Sequence, residues 1–261
     1  MKNTNGLELY PFELNFDGVS ARFPFIFEGK PITSPSCLIS SREAGDMVFR
    51  LPNKNRDIFL SSMFIPAEKV YSLAQVHSRD VFALNPPVPS PAAFVREGDG
   101  MVNFAPDVFL AVTVADCLPV FLLDTESGAF SALHSGWKGT GIVLRALEIM
   151  QNAGCRPEAI AAVLGPCIQD CCYNVDEERA RNFEAEFGHF CASPAGCAVT
   201  RKDGSSWYLK LQEANIRMLA AEGVRHIAYN TDCTFTDERL GSFRREGRPF
   251  THMLAVAGPF G

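Results

Sequence analysis

Residues 107–134 read DVFLAVTVADCLPVFLLDTESGAFSALH and carry three strand signals in close succession. The first, VFLAVTV, is apolar and rich in β-branched residues. The second, LPVFLL, is apolar throughout, and the third, GAFSALH, leaves a turn supplied by Gly128. Between the first two stand an acid, a thiol and a proline: Asp116, Cys117 and Pro119. Either a loop carries a small polar residue and an inert thiol there, or the chain presents Cys117 for chemistry.

Working outward, the spacing of Val143, Leu144, Leu147 and Met150 predicts a helix that ends at Gly154. AIAAVLG (159–165) reads as another buried strand. Ala180, Phe183 and Phe187 put helical spacing on 176–187, and a further helix over about 209–222 buries Leu211, Ala214 and Met218 before Gly223. HIAYN (226–230) and HMLAVAG (252–258) close the pattern as strands. The proline-rich stretch NPPVPSPAAF (85–94) has strand signals on both sides, so it reads as a surface excursion within one domain spanning residues 1–261. Adjacent strands with interspersed helices predict an α/β fold of the α+β type, with mixed β-sheets flanked by helices.

Composition narrows the function classes. The chain has 261 residues, 47% of them hydrophobic and 21% charged, which suits a globular protein with a large core. A net charge of −6 without a basic block argues against nucleic-acid binding, and Arg244–Arg245 reads as a solvated or anion-facing edge. The apolar stretch 108–123 is interrupted by Asp116 and Pro119 and cannot be a membrane-spanning helix. The N-terminal residues hold no apolar core of a secretory signal, and nine cysteines make an odd number. Free thiols in a reducing, cytoplasmic setting are therefore expected.

Three segments end in polar groups that suit one another. SLAQVHS (72–78) is read as a strand ending at His77, VTVAD leads into Cys117, and FSALHSGW carries His134. Two imidazoles and a thiolate gathered on one rim of a sheet would make a three-ligand zinc site, with the fourth position left for water or substrate. The rival chemistry is a Cys117 nucleophile activated by His77 or His134, and the same three residues serve both readings. After His134 the small residues of SGWKGT lead into a helix whose N-terminus, with Lys138 beside it, suits a phosphate. Cys167, Cys171 and Cys172 read as structural thiols. Cys37, Cys155, Cys191, Cys197 and Cys233, with His189, His226 and His252, have no evident ligand companions in sequence.

Read in order, QVHS (75–78), GDG (98–100), ADCLPV (115–120), HSGWKGT (134–140) and GPCIQDCCYNV (165–175) resemble the YfiH-like family. That family is also called the laccase-domain or polyphenol-oxidase family and is described as purine nucleoside phosphorylases. Weaker echoes are SAR (20–22), NR (55–56), DCT (232–234) and FRREGR (243–248). The resemblance implies metal ligation by His77, Cys117 and His134, phosphorolysis of adenosine, inosine, guanosine and methylthioadenosine, and adenosine deamination. In the N-terminal third the chain departs from the family: FPFIF (23–27) replaces two glycines expected after Arg22.

On that reading Lys138, Arg22 or Arg56 holds phosphate, and Asp116 is the nearest carboxylate for acid–base work beside Cys117. Zinc is the expected ion and copper is possible. A multicopper oxidase needs many imidazoles, whereas this chain has five histidines. The alternatives are a cysteine hydrolase or copper-binding polyphenol oxidase using Cys117, and a non-enzymatic metal-binding regulatory protein.

Overall fold

The computed structural model describes residues 6–49, 52–190, 198–202 and 206–260. Cys191 and Cys197 lie outside the described residues.

The three strand signals of 107–134 do form three strands, but they belong to two sheets. Strand β8 (Phe109–Val114) sits in a six-stranded sheet, in the order β2 (Phe16–Asp17), β3 (Ser20–Phe27), β4 (Lys30–Ser40), β16 (Met253–Gly258), β8 and β5 (Val70–Tyr71). Strands β9 (Leu118–Asp124) and β10 (Phe130–Ser135) lie in a seven-stranded sheet. Its order is β1 (Glu8–Phe12), β15 (His226–Asn230), β11 (Ile160–Leu164), β9, β10, β7 (Gly100–Asn103) and β6 (Val81–Leu84). The chain therefore changes sheets at Asp116–Cys117. Val112 pairs with Ala255 on one side of that break, and Val120 pairs with Leu133 on the other. Both sheets mix parallel and antiparallel neighbours.

Alternation along these strands builds the layers, because successive side chains point to opposite faces. Phe121 and Leu123 of β9 meet Leu110, Val112 and Val114 of β8 in the core between the two sheets. Leu118, Val120 and Leu122 point the other way, against Val143, Leu147 and Met150 of α2 (Ile142–Asn152). The same layer takes Leu211, Ala214 and Met218 of α4 (Leu211–Ala221) and Ala180, Phe183 and Phe187 of α3 (Glu177–Phe187). Behind the six-stranded sheet, Ala111, Leu254 and Val256 pack on Phe59 and Leu60 of α1 (Lys54–Ser62). A three-stranded sheet of β12 (Asn174–Val175), β14 (Ser206–Leu209) and β13 (Val199–Lys202) completes the described sheets. The short helix α5 (Phe243–Glu246) precedes β16. Among the described residues no helix is long and apolar enough to cross a membrane.

One expected strand is absent. After β5 the segment 72–78 leaves the strand ladder: Ala74 makes an isolated bridge to Glu97, the Gln75 side chain bonds Thr113 of β8, and His77 stands at φ +61°. The amide groups of Val76, His77 and Ser78 are spent on a buried carboxylate instead of on a neighbouring strand.

Candidate metal centre

That carboxylate is Asp99, fully buried just before β7. It accepts from the backbone N–H groups of Val76 at 3.1 Å, His77 at 3.0 Å and Ser78 at 2.6 Å, and from the Ser78 hydroxyl at 2.9 Å. These bonds hold the loop in a turn and offset the cost of placing His77 in the left-handed region. Asp99 Oδ1 also lies 2.7 Å from Nδ1 of His134, near the end of β10. One acid thus positions two imidazoles that are far apart in sequence.

Cys117 enters from the change of sheets. Asp116 takes φ +84°, turning the chain so that Cys117 directly precedes β9, whose Pro119 faces His134 in the ladder. Candidate donor atoms of His77, Cys117 and His134 lie within 4.8 Å of one another, and the two rings meet edge to face with centroids 5.0 Å apart. Gly136 leaves room for the sulfur, because a Cβ there would stand 2.8 Å from Cys117 Sγ.

Burial would raise the Cys117 thiol, yet the charge and hydrogen bonds of His134 and His77 bring it down to about 6. Burial would likewise lower His134, but the Cys117 thiolate and Asp99 raise it to about 9. Burial works against the Asp99 anion too, and the His134 and Ser78 bonds still hold it near 2. An ionised Asp99 accepts a hydrogen bond from the Nδ1–H of His134, which leaves Nε2 as the atom that could bind a metal. This is the carboxylate–histidine arrangement that orients metal ligands. A preformed thiolate with two imidazoles fits a thiophilic divalent ion such as zinc, with an open fourth position.

The site opens on a cavity of about 770 Å³, within the range of small-molecule sites. Phe49, Trp137, Tyr173, Phe243 and Phe250 supply aromatic walls, and Arg179, Arg244 and Arg248 supply cations. Lys138, Arg22 and Arg56 are not among the lining residues. Lys138 is exposed with its Nζ 5.4 Å from the Trp137 ring, and Arg22 lies over Phe260 at 4.9 Å. Arg56 stacks on Phe49 at 4.5 Å and donates to the Val48 carbonyl, behind the wall that Phe49 presents. Asp116 does line the cavity, but both its oxygens accept: Oδ1 from the Thr234 hydroxyl and Oδ2 from the Arg244 amide, each at 2.7 Å.

The Arg244–Arg245 pair divides its work. Arg244 lines the cavity, whereas Arg245 donates to the carbonyls of Thr234, Phe235, Asp237 and Leu240. Two residues without companions in sequence acquire them in the fold. His252 lines the cavity with Nδ1 bonded to Asp46 Oδ1 at 2.7 Å, and Cys233 joins Cys171 and Cys172 in a second thiol group. The signal for Asp99 was present in the GDG motif. Arg248 stands only within the weak echo FRREGR, and His252 carries no local mark because its partner Asp46 lies 206 positions away.

A family model described as multi-copper polyphenol oxidoreductase laccase matches residues 42–258. A protein of Corynebacterium glutamicum named purine nucleoside phosphorylase is 33% identical over 195 residues, covering 74% of this chain and 76% of that protein. One of the same name from Deinococcus radiodurans is 35% identical over 207 residues, covering 78% and 76%. Among solved structures, YlmD from Geobacillus stearothermophilus superposes with a TM-score of 0.82 at 23% identity, covering 95% of this chain and 99% of that one. YfiH from Bacillus licheniformis gives 0.75 at 21%, covering 86% and 92%.

Proposed function

The chain belongs to the family described as multi-copper polyphenol oxidoreductase laccase, and from that premise we propose that it is a zinc-dependent purine nucleoside phosphorylase. Adenosine, inosine, guanosine and methylthioadenosine are the proposed substrates with phosphate, and adenosine deamination is a second activity of the same site. The observation that carries this reading is the Asp99-oriented His134 beside Cys117 and His77 at the mouth of a cavity with aromatic and cationic walls.

In phosphorolysis the phosphate oxygen bonds to the ribose anomeric carbon as the bond to the purine nitrogen breaks. The sugar gains positive charge and the purine gains negative charge. His77, Cys117 and His134 would hold the zinc, which when bound supplies a Lewis acid at this point. Arg244 and Arg248 bind the phosphate through charge-assisted hydrogen bonds. The aromatic walls take the faces of the purine. His252, whose Nδ1 lies 2.7 Å from Asp46 Oδ1, gives as the imidazolium its Nε2 proton to the departing base and regains one from solvent. Asp116 acts as a positioning residue, since both its oxygens are engaged in joining the Cys117 turn to Thr234 and Arg244.

The seven described cysteines are all free thiols, which supports the reading of a reducing, cytoplasmic setting. The core shared by the two large sheets supports treating residues 1–261 as one domain. Of the three described histidines beyond the ligand pair, His189 packs on Phe190, His226 faces Glu8 and His252 faces Asp46, so the imidazole supply favours one mononuclear site over a multicopper centre.

A second reading rests on the thiolate held at Cys117 by His134, which also suits a cysteine hydrolase. Metal analysis joined to product analysis separates the two. The purified chain should carry one zinc, and adenosine with phosphate should yield adenine and ribose 1-phosphate, with inosine as the deamination product. Cys117→Ala should lose zinc and activity together. Phosphate-independent hydrolysis by metal-free protein, lost in Cys117→Ala, would support the hydrolase instead.

A further inference from the structure

We propose that Cys171, Cys172 and Cys233 form a second, all-sulfur site that takes one soft monovalent d10 cation, Cu(I) by chemical type. The candidate donor atoms of all three lie within 4.8 Å of one another, and Cys171 Sγ stands 3.4 Å from Cys172 Sγ. The residues come from two loops. Cys171 and Cys172 follow β11, and Cys233 follows β15, the strand paired beside β11. An isolated bridge between Cys167 and Cys233 ties the two loops together, so the thiols meet through the backbone beyond the ends of two neighbouring interior strands and not by a chance of side-chain rotation.

The donor set selects the ion. Three sulfurs with no imidazole or carboxylate in the group suit a soft cation, whereas structural zinc takes four protein ligands. Cys233 is an anchor for such an ion. Burial disfavours its charge, but backbone N–H groups of Gln169, Phe235 and Thr236 outweigh burial and favour the thiolate, with Gln169 N at 3.4 Å. Cys171 is pushed up to about 12, first by burial and then by the two neighbouring sulfurs. Binding replaces the thiol protons that the three sulfurs carry, which pass to solvent, and no electron changes hands. Entry is from outside, since Cys171 is exposed while Cys233 is buried. The site shares a wall with the cavity, because Ile168 and Tyr173 line the cavity on either side of the Gln169–Cys172 turn.

The proposal does not rest on the phosphorylase reading, and its test uses no activity measurement. Full-length protein with zinc bound is titrated anaerobically with Cu(I) held by a chromophoric chelator. One Cu(I) per chain should enter with the zinc content unchanged, and copper K-edge absorption should give a sulfur-only first shell. Cys117→Ser should still take one Cu(I). Cys233→Ser should weaken Cu(I) binding by more than the roughly 10–100-fold that loss of a supporting partner costs a metal site. Cys171→Ser should do the same, and its exposed position keeps that variant folded. Displacement of zinc by Cu(I), a nitrogen-containing copper shell, or unchanged uptake in Cys171→Ser would each overturn the assignment.

Discussion

The carboxylate of Asp99 and the imidazole of His134 meet at 2.7 Å between Oδ1 and Nδ1, and both side chains are buried. The same carboxylate ties down the loop that carries His77, so one residue governs both imidazoles of the proposed metal site. Asn at 99 has the same shape but presents an N–H₂ to groups that are themselves donors. Asp99→Asn should therefore lower zinc affinity by roughly 10–100-fold, as losses of ligand-orienting partners do. Competition with a chromophoric zinc chelator measures this, and unchanged affinity would remove Asp99 from its orienting role.

Gly136 is a second control on the same site. A methyl group there would stand 2.8 Å from Cys117 Sγ and 3.4 Å from His77 Cδ2. Relieving such a contact costs about 1–3 kcal/mol, which corresponds to roughly 5–150-fold in affinity if the sulfur moves away. Gly136→Ala should thus bind zinc more weakly by that factor while its circular dichroism stays that of the parent. Zinc affinity within twofold of the parent would show that the sulfur already has room to spare.

Much of this arrangement was legible in the residues. The runs around Cys117 read as strands because they are apolar and β-branched, and the helices declared themselves by spacing and terminal glycines. That β8 and β9 enter different sheets was not legible, since strands covered on both faces are apolar throughout, whatever sheet holds them. His77 was misplaced on a strand because its conformation is set by Asp99, 22 positions away. The cationic side of the cavity was the least legible. Arg248 stands only in the weak echo FRREGR and His252 in no motif, until the chain after α5 places both in the wall of the cavity that Cys117 also lines.

Placement of the arginines predicts how phosphate binding divides among them. Arg248→Gln should raise the phosphate KM by about tenfold or more, the order expected for loss of a charge-assisted bond. Arg22→Gln and Lys138→Gln should leave it within about twofold, because neither lines the cavity. Initial rates at varied phosphate decide the matter, and a larger effect at Lys138 than at Arg248 would return the phosphate to the α2 N-terminus.

His252 is the cavity imidazole outside the metal set, and its partner Asp46 also accepts from the His252 backbone at 2.9 Å. If Nε2 protonates the departing purine, His252→Gln should lower kcat by about a hundredfold or more with little change in KM. The loss should shrink for a nucleoside whose base leaves without protonation. Equal losses for both kinds of substrate would mean that His252 only shapes the wall.

Glu246 secures the segment on which these groups ride. Its two oxygens accept from the backbone N–H groups of Ser242 at 2.8 Å and Thr251 at 2.9 Å, bracketing Arg248 and Phe250, and Arg245 lies 3.3 Å away. Burial raises this carboxyl, but the two backbone bonds and Arg245 outweigh it and hold it below its usual value of 4.5. A carboxylate with a lowered folded-state pKa stabilises the fold above its unfolded pKa, and that contribution is lost as pH falls through the folded value. Glu246→Gln should therefore be less stable than the parent by about 1–3 kcal/mol at neutral pH. Below the usual carboxylate pKa the parent protonates and the gap between the two should narrow. Urea unfolding of both proteins at pH 7 and at successive pH values below 4.5 checks the sign. A gap that widens with acid would mean that Glu246 is held by its protonated form, and that the wall carrying Arg248 and His252 is fixed in some other way.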